Sequence, residues 1–124
     1  MISAIYIPAG PLDQPTFTYS HRQKWDLEAI YEVLNCEVME CIGLGKLQYM
    51  YVDELGRQKS LPFNGVASAM YHRLRGGDMI VGNALILAGD QEGDTVSVDP
   101  ELLFLTAKIA VTLATQQGGF GELA

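Results

Sequence analysis

Seven basic residues stand out in an otherwise acidic chain: Arg22, Lys24, Lys46, Arg57, Lys59, Arg73 and Arg75. The planar fork of arginine suits phosphate and carboxylate, so a convergence of these groups would make a positive pocket. Its sharpest form is an anion grip of His72, Arg73 and Arg75 near the end of one helix. Arg57 is placed with them as a ligand-binding candidate. So is Asn64, a polar amide between apolar neighbours at a helix start, which either bonds backbone across a turn or holds the ligand. Tyr49, Tyr51, Phe63, Tyr71 or Trp25 would stack a base beside such a pocket. The plainer alternative is a set of scattered solvated charges, with His72 a surface residue at a helix end.

Other chemistry finds less support. Cys36 and Cys41 stand five apart, which on a strand sends them to opposite faces. Zinc needs two further ligands, and His21 and His72 do not fall in zinc-finger spacing. Gly43-Leu44-Gly45-Lys46 lacks the full phosphate-loop spacing and precedes a strand, so it reads as a turn. Asp90, Glu92 and Asp94 miss the calcium-loop pattern and read as a solvated acidic turn. No spacing supplies His72 with a nucleophile or a carboxylate partner. A non-enzymatic protein with no cofactor and no metal is therefore expected.

The bulk numbers bound the rest. The chain has 124 residues, 48% of them apolar and 19% charged, with a mean hydropathy of +0.12. That is one domain, 1–124, able to fill a core. The formal charge of −7 argues against direct nucleic-acid binding, because such a chain displaces few phosphate counterions. The charge is uneven. Residues 1–77 carry eight acids and seven bases, whereas residues 78–124 carry seven acids and only Lys108. No secretory leader and no spanning helix are expected. Two cysteines make no disulfide framework, so a cytoplasmic setting with reduced thiols is expected.

Periodicity places these residues on elements. Ile2 to Ile7 alternates as a strand, a proline-rich loop follows, and Thr16 to Tyr19 is a short strand within it. Trp25 to Leu34 is an amphipathic helix whose apolar stripe is Leu27, Ile30, Tyr31 and Leu34, with Asn35 as its stop. Strands follow at Glu37 to Ile42 and Lys46 to Asp53, with a return strand at Gln58 to Leu61 after the turn at Gly56. Pro62 opens the next helix, striped by Val66, Met70, Tyr71 and Leu74 and ended by Gly76-Gly77. Met79 to Ala88 is the most apolar strand, interrupted at Gly82 and Asn83 by a bulge or a close backbone approach. Thr95 to Val98 is a short strand. Asp99 caps, and Pro100 opens, a helix to about Gln117 with apolar residues all round it; the tail over 118–124 reads as flexible. The fold class is α+β: a small mixed or antiparallel sheet with two shorter helices and a long apolar C-terminal helix.

The run from Trp25 to Gly89 resembles a domain-of-unknown-function family of small phage, plasmid and bacterial proteins. The pieces that carry the resemblance are WDLEAIYEVL, LQYMYVDELG, LPFN with VASAMY, and GDMIVGNALILAG. It covers about half of the chain and leaves out the first 24 residues and the C-terminal helix. Asn64, Asp78 and Gly82 fall on its motif positions, as fold or site residues. The resemblance implies a mobile-element context and no particular reaction.

Three functions follow as expectations. The first is a small binding protein that sequesters an anionic, nucleotide-like molecule such as a host immune signal. It would assemble as a homo-oligomer through the C-terminal helix. The alternative is an acidic protein–protein inhibitor or nucleic-acid mimic acting on a host defence protein. The third is a small hydrolase, which would need His72 and Asp78 or glutamates to converge.

Overall fold

A computed structural model of the chain describes residues 1–10 and 14–123, with side chains described through residue 115. Nine elements follow in order: β1 (Ile2–Ile7), β2 (Thr18–Arg22), α1 (Leu27–Leu34), β3 (Met39–Gly45), β4 (Gln48–Asp53), α2 (Gly65–Arg75), β5 (Ala84–Gly89), β6 (Thr95–Val96) and α3 (Pro100–Leu123). The fold is α+β, and every strand pair in its six-stranded sheet is antiparallel. The order β2-β1-β5-β4-β3 puts β5 in the middle, and β6 pairs with the far end of β5.

Alternation along β5 decides what each face covers. Ala84 and Ile86 point to a core shared with α2 and α3, together with Ile5, Ile7, Met50, Val52, Met70 and Ile109. Leu85 and Leu87 point the other way, to a second core made with Ala4, Trp25, Ile30 and Leu34. The sheet is therefore the middle of three layers, which explains why β5 is apolar throughout rather than alternating with polar residues. Trp25 locks the second core to β1, because its indole N–H donates to the Ile2 carbonyl at 3.0 Å.

Local chemistry sets the element ends. Asp26 accepts from the Ala29 N–H at 2.9 Å and starts α1, while Asn35 ends it in the left-handed region at φ 51°. Asn35 is thus the stop that the sequence signals, but Leu27 is 61% exposed and not part of the buried stripe. Asp99 Oδ1 accepts from the Glu101 N–H at 3.0 Å, as expected of a cap before Pro100. Between β3 and β4, Lys46 and Leu47 both take positive φ, at 54° and 61°, making a tight turn that delays β4 to Gln48.

Several expectations change. The return strand at Gln58–Leu61 is replaced by successive turns, closed by Lys59 N–H to Leu55 O and Ser60 N–H to Arg57 O. Pro62 precedes α2 rather than opening it, since the helix begins at Gly65 after Asn64. The apolar strand starts late, at Ala84. Gly82 turns the chain at φ +77°, where a Cβ would also meet Leu61 Cδ1 at 2.8 Å. α3 runs to Leu123, past the expected end at Gln117, and the expected tail over 118–124 lies outside the residues whose side chains are described. Over 100–115, where its side chains are described, α3 also buries one face rather than several. Leu102, Thr106, Ile109 and Ala110 are covered, but Phe104 is 73% and Val111 65% exposed. No helix among the described residues is long and apolar enough to cross a membrane.

Candidate functional site

Asn64 is held by the fold itself. It is 1% exposed. Its side-chain oxygen accepts from the Ala67 N–H at 3.1 Å and caps α2, while its amide N–H groups donate to Ile7 O and Gly82 O, both at 2.9 Å. Both amide protons are spent on backbone carbonyls, so Asn64 joins β1, α2 and the approach to β5 and leaves a ligand no donor.

His72, Arg73 and Arg75 occupy the last turn of α2, where positive charge favours the carbonyl end of a helix. Each helical step turns the side chain by about 100°, so Arg73 points away from His72 and Arg75, which stand three apart on one face. Arg73 faces α3. Arg75 reaches toward the end of β3, its Nη1 3.9 Å from where a Cβ on Gly45 would sit. His72 is exposed. Arg57 lies elsewhere, in the turns after β4, where its Nη2 donates to the Met79 carbonyl at 3.2 Å. The expected single grip is therefore not assembled: Arg57, Asn64 and Arg73 line three different cavities.

The cavity at Arg57 is a cleft of about 450 Å³ between the ends of β3 and β4, α2 and the segment leading to β5. Glu40, Asp53, Glu54 and Asp78 share its wall with Tyr71 and that one arginine. Tyr71 stands against Gly77, where any Cβ would fall inside its ring. Four carboxylates against one guanidinium make this cleft unsuited to an anion. Asp53 is also engaged below the surface. Its Oδ1 accepts from the Leu55 N–H at 2.9 Å, and Lys59 Nζ donates to its Oδ2 at 2.8 Å. Lys59 reaches Glu37 at 2.8 Å as well. Those bonds raise the Lys59 ammonium well above its ordinary range and hold the Glu37 carboxyl below its own.

A second concavity has the opposite character. α2 and α3 leave a groove of about 230 Å³ lined by Ala69, Arg73, Lys108, Ile109, Thr112 and Leu113. One cation from each helix lines an apolar floor, and among the described residues no carboxylate lines the groove. Among the described residues, neither Arg73 nor Lys108 forms an ion pair. Thr112 Oγ1 donates to the Lys108 carbonyl at 2.8 Å, so its hydroxyl proton is already used. Lys108 was not among the sequence candidates. Its signal was there, as the only base after residue 77 and the break in an apolar run.

The remaining reactive groups are placed less productively. Cys36 and Cys41 are free, and burial pushes both thiols up from their ordinary range. Beside Cys41, burial raises the Tyr51 phenol to about 12. Among the described residues no group of three or more His, Cys, Asp or Glu side chains could hold a metal ion. Sequence reasoning missed Ser3 and His21, whose Oγ and Nδ1 lie 2.7 Å apart on the exposed surface. They are directly opposed in the β1–β2 register, which accounts for their meeting. The aromatic candidates are divided too: Trp25 is 2% exposed and Phe63 40%, while Tyr51 packs into the second core.

Comparison with known proteins adds a family. A family model described as a domain of unknown function (DUF3846) matches residues 10–110. The match extends beyond the Trp25–Gly89 resemblance in both directions, taking in β2 and the first half of α3. No curated protein and no solved structure matches the chain. With most of its sheet and all three helices represented in the matched span, the chain belongs to the DUF3846 family of domains of unknown function.

Proposed function

We propose that this protein is a non-catalytic binding module that takes up a small anionic ligand in the groove between α2 and α3. One observation carries the reading: Arg73 and Lys108 line one groove with no carboxylate among its described lining residues, on a chain of net charge −7. Acids outnumber bases almost two to one in this chain, yet the charged groups among the described lining residues are both cations. An anion seated between them gains charge-assisted hydrogen bonds, and the apolar floor strengthens those bonds by excluding water.

The setting proposed with this reading is the cytoplasm of a host cell, where a phage or mobile-element protein would sequester a nucleotide-derived immune signal. The test is a thermal-shift screen against inorganic phosphate, nucleotides, cyclic dinucleotides and ADP-ribose. Any stabilising compound is then recovered by heating and checked for chemical change. Stabilisation that is lost in Arg73→Ala and Lys108→Ala, with the compound returned intact, supports the reading. A chemically altered compound would make the protein an enzyme instead.

A second reading rests on the acidic cleft. Glu40, Asp53, Glu54 and Asp78 gather beside Arg57, which favours contact with a basic partner, as in a protein–protein inhibitor or nucleic-acid mimic. Glu40→Lys with Glu54→Lys, assayed for capture of a host defence protein, tests it. Capture unaffected by both reversals would remove it.

A further inference from the structure

We propose that the ligand of the α2–α3 groove is an amphiphile: a carboxylate or phosphate monoester bearing an alkyl or acyl tail, taken up free from solution. This rests on the anion reading and narrows its ligand class. Among the described residues the groove is lined by two cations, Arg73 and Lys108, and little else that is polar. Its third polar side chain, Thr112, already donates to the Lys108 carbonyl. No aromatic ring lines it among the described residues, so a base would find no stacking face there and no partner for its edge. The floor of Ala69, Ile109 and Leu113 offers only hydrocarbon.

The surface beyond the groove has the same character. Phe104 and Val111 stand four residues before and three residues after Lys108, so helical geometry sets them beside it on one face. They are 73% and 65% exposed, among the most exposed large apolar side chains of the molecule. Lys108 thus stands between the groove floor on one side and Phe104 and Val111 on the other. A headgroup bridging Arg73 and Lys108 would lay its tail along that surface. Charge complementarity fixes the head and the uncharged floor fixes the tail.

The experiment is a calorimetric affinity series on the full chain with inorganic phosphate, AMP, and butyl, hexyl and octyl phosphate below their micelle concentrations. Affinity should rise along the alkyl series, by at most about fourfold per methylene at full burial. Octyl phosphate should outbind AMP. Arg73→Ala and Lys108→Ala, both at exposed positions, should each weaken octyl phosphate about tenfold or more. Phe104→Ser should flatten the dependence on chain length and leave inorganic phosphate unchanged. If AMP or inorganic phosphate binds as tightly as octyl phosphate, and both cation variants weaken it, the tail is overturned while the anion site stands. If no probe binds, or neither cation variant matters, both readings fall. Sedimentation with phosphatidylglycerol vesicles, without binding of octyl phosphate, would overturn the free amphiphile in favour of a lipid surface.

Discussion

The amide nitrogen of Asn64 lies 2.9 Å from the carbonyl oxygen of Ile7, across 57 residues of sequence. Its second proton goes to Gly82 O, also at 2.9 Å, so one buried side chain ties the end of β1 to the start of α2 and the approach to β5. Replacing Asn64 with Ala strands two carbonyls and removes a cap. The expected loss is about 2–4 kcal/mol of stability, read from urea unfolding. Ligand affinity per folded molecule should not change. A loss below about 0.5 kcal/mol, the range of ordinary surface substitutions, would contradict this assignment.

Gly82 should tolerate no side chain. Its φ of +77° disfavours a Cβ, and the Leu61 side chain stands 2.8 Å from where one would go. Gly82→Ala should cost about 1–2 kcal/mol for the backbone alone and more for the clash. Adding Leu61→Ala should recover only the clash. Full recovery in the double variant would show that the backbone conformation carries no strain.

Stability should fall on both sides of neutrality, through different groups. Lys59 holds the Glu37 carboxyl below its ordinary value of 4.5, so this contribution is present above 4.5 and lost as the pH drops through the lower folded value. Tyr51 is raised from 10.0 to about 12 by burial. Its contribution is present below pH 10 and lost between 10 and about 12. Urea midpoints across pH should show both limbs. Lys59→Met should flatten the acid limb, and Tyr51→Phe the alkaline one above 10. The acid effect should shrink in high salt, because Glu37 and Lys59 face solvent.

α3 should show its one-sided burial directly. Ile109 is 7% and Phe104 73% exposed. Ile109→Ala should cost about 2–4 kcal/mol, whereas Phe104→Ser should stay within about 0.5 kcal/mol at low protein concentration. A concentration-dependent loss of stability in Phe104→Ser would reveal a second copy packed on that face, the assembly expected from the apolar sequence of this helix.

The element ends were legible where one residue decides them. Asp26, Asn35 and Asp99 act within three or four residues of their own position, and their chemistry is visible in one dimension. The return strand at Gln58–Leu61 was misread because the competing interactions are less local. The Asp53 carboxylate draws in the Leu55 N–H and the Lys59 ammonium, curling the chain into turns. The site was hardest to see. His72, Arg73 and Arg75 are neighbours in sequence, but the helix turns Arg73 away from the other two. Lys108 lies far from Arg73 in sequence and meets it only because α2 and α3 pack together. Convergence of that kind belongs to tertiary packing, whereas periodicity reports only which face a residue is on.

The position of β5 has a consequence for how the chain is made. Its partners on either side, β1 and β4, belong to two hairpins that precede it in synthesis and share no register with each other. Neither hairpin can hold its inner edge alone, so the sheet closes only when Ala84–Gly89 joins the two. Folding is therefore a late, long-range event, slow for a chain of this size.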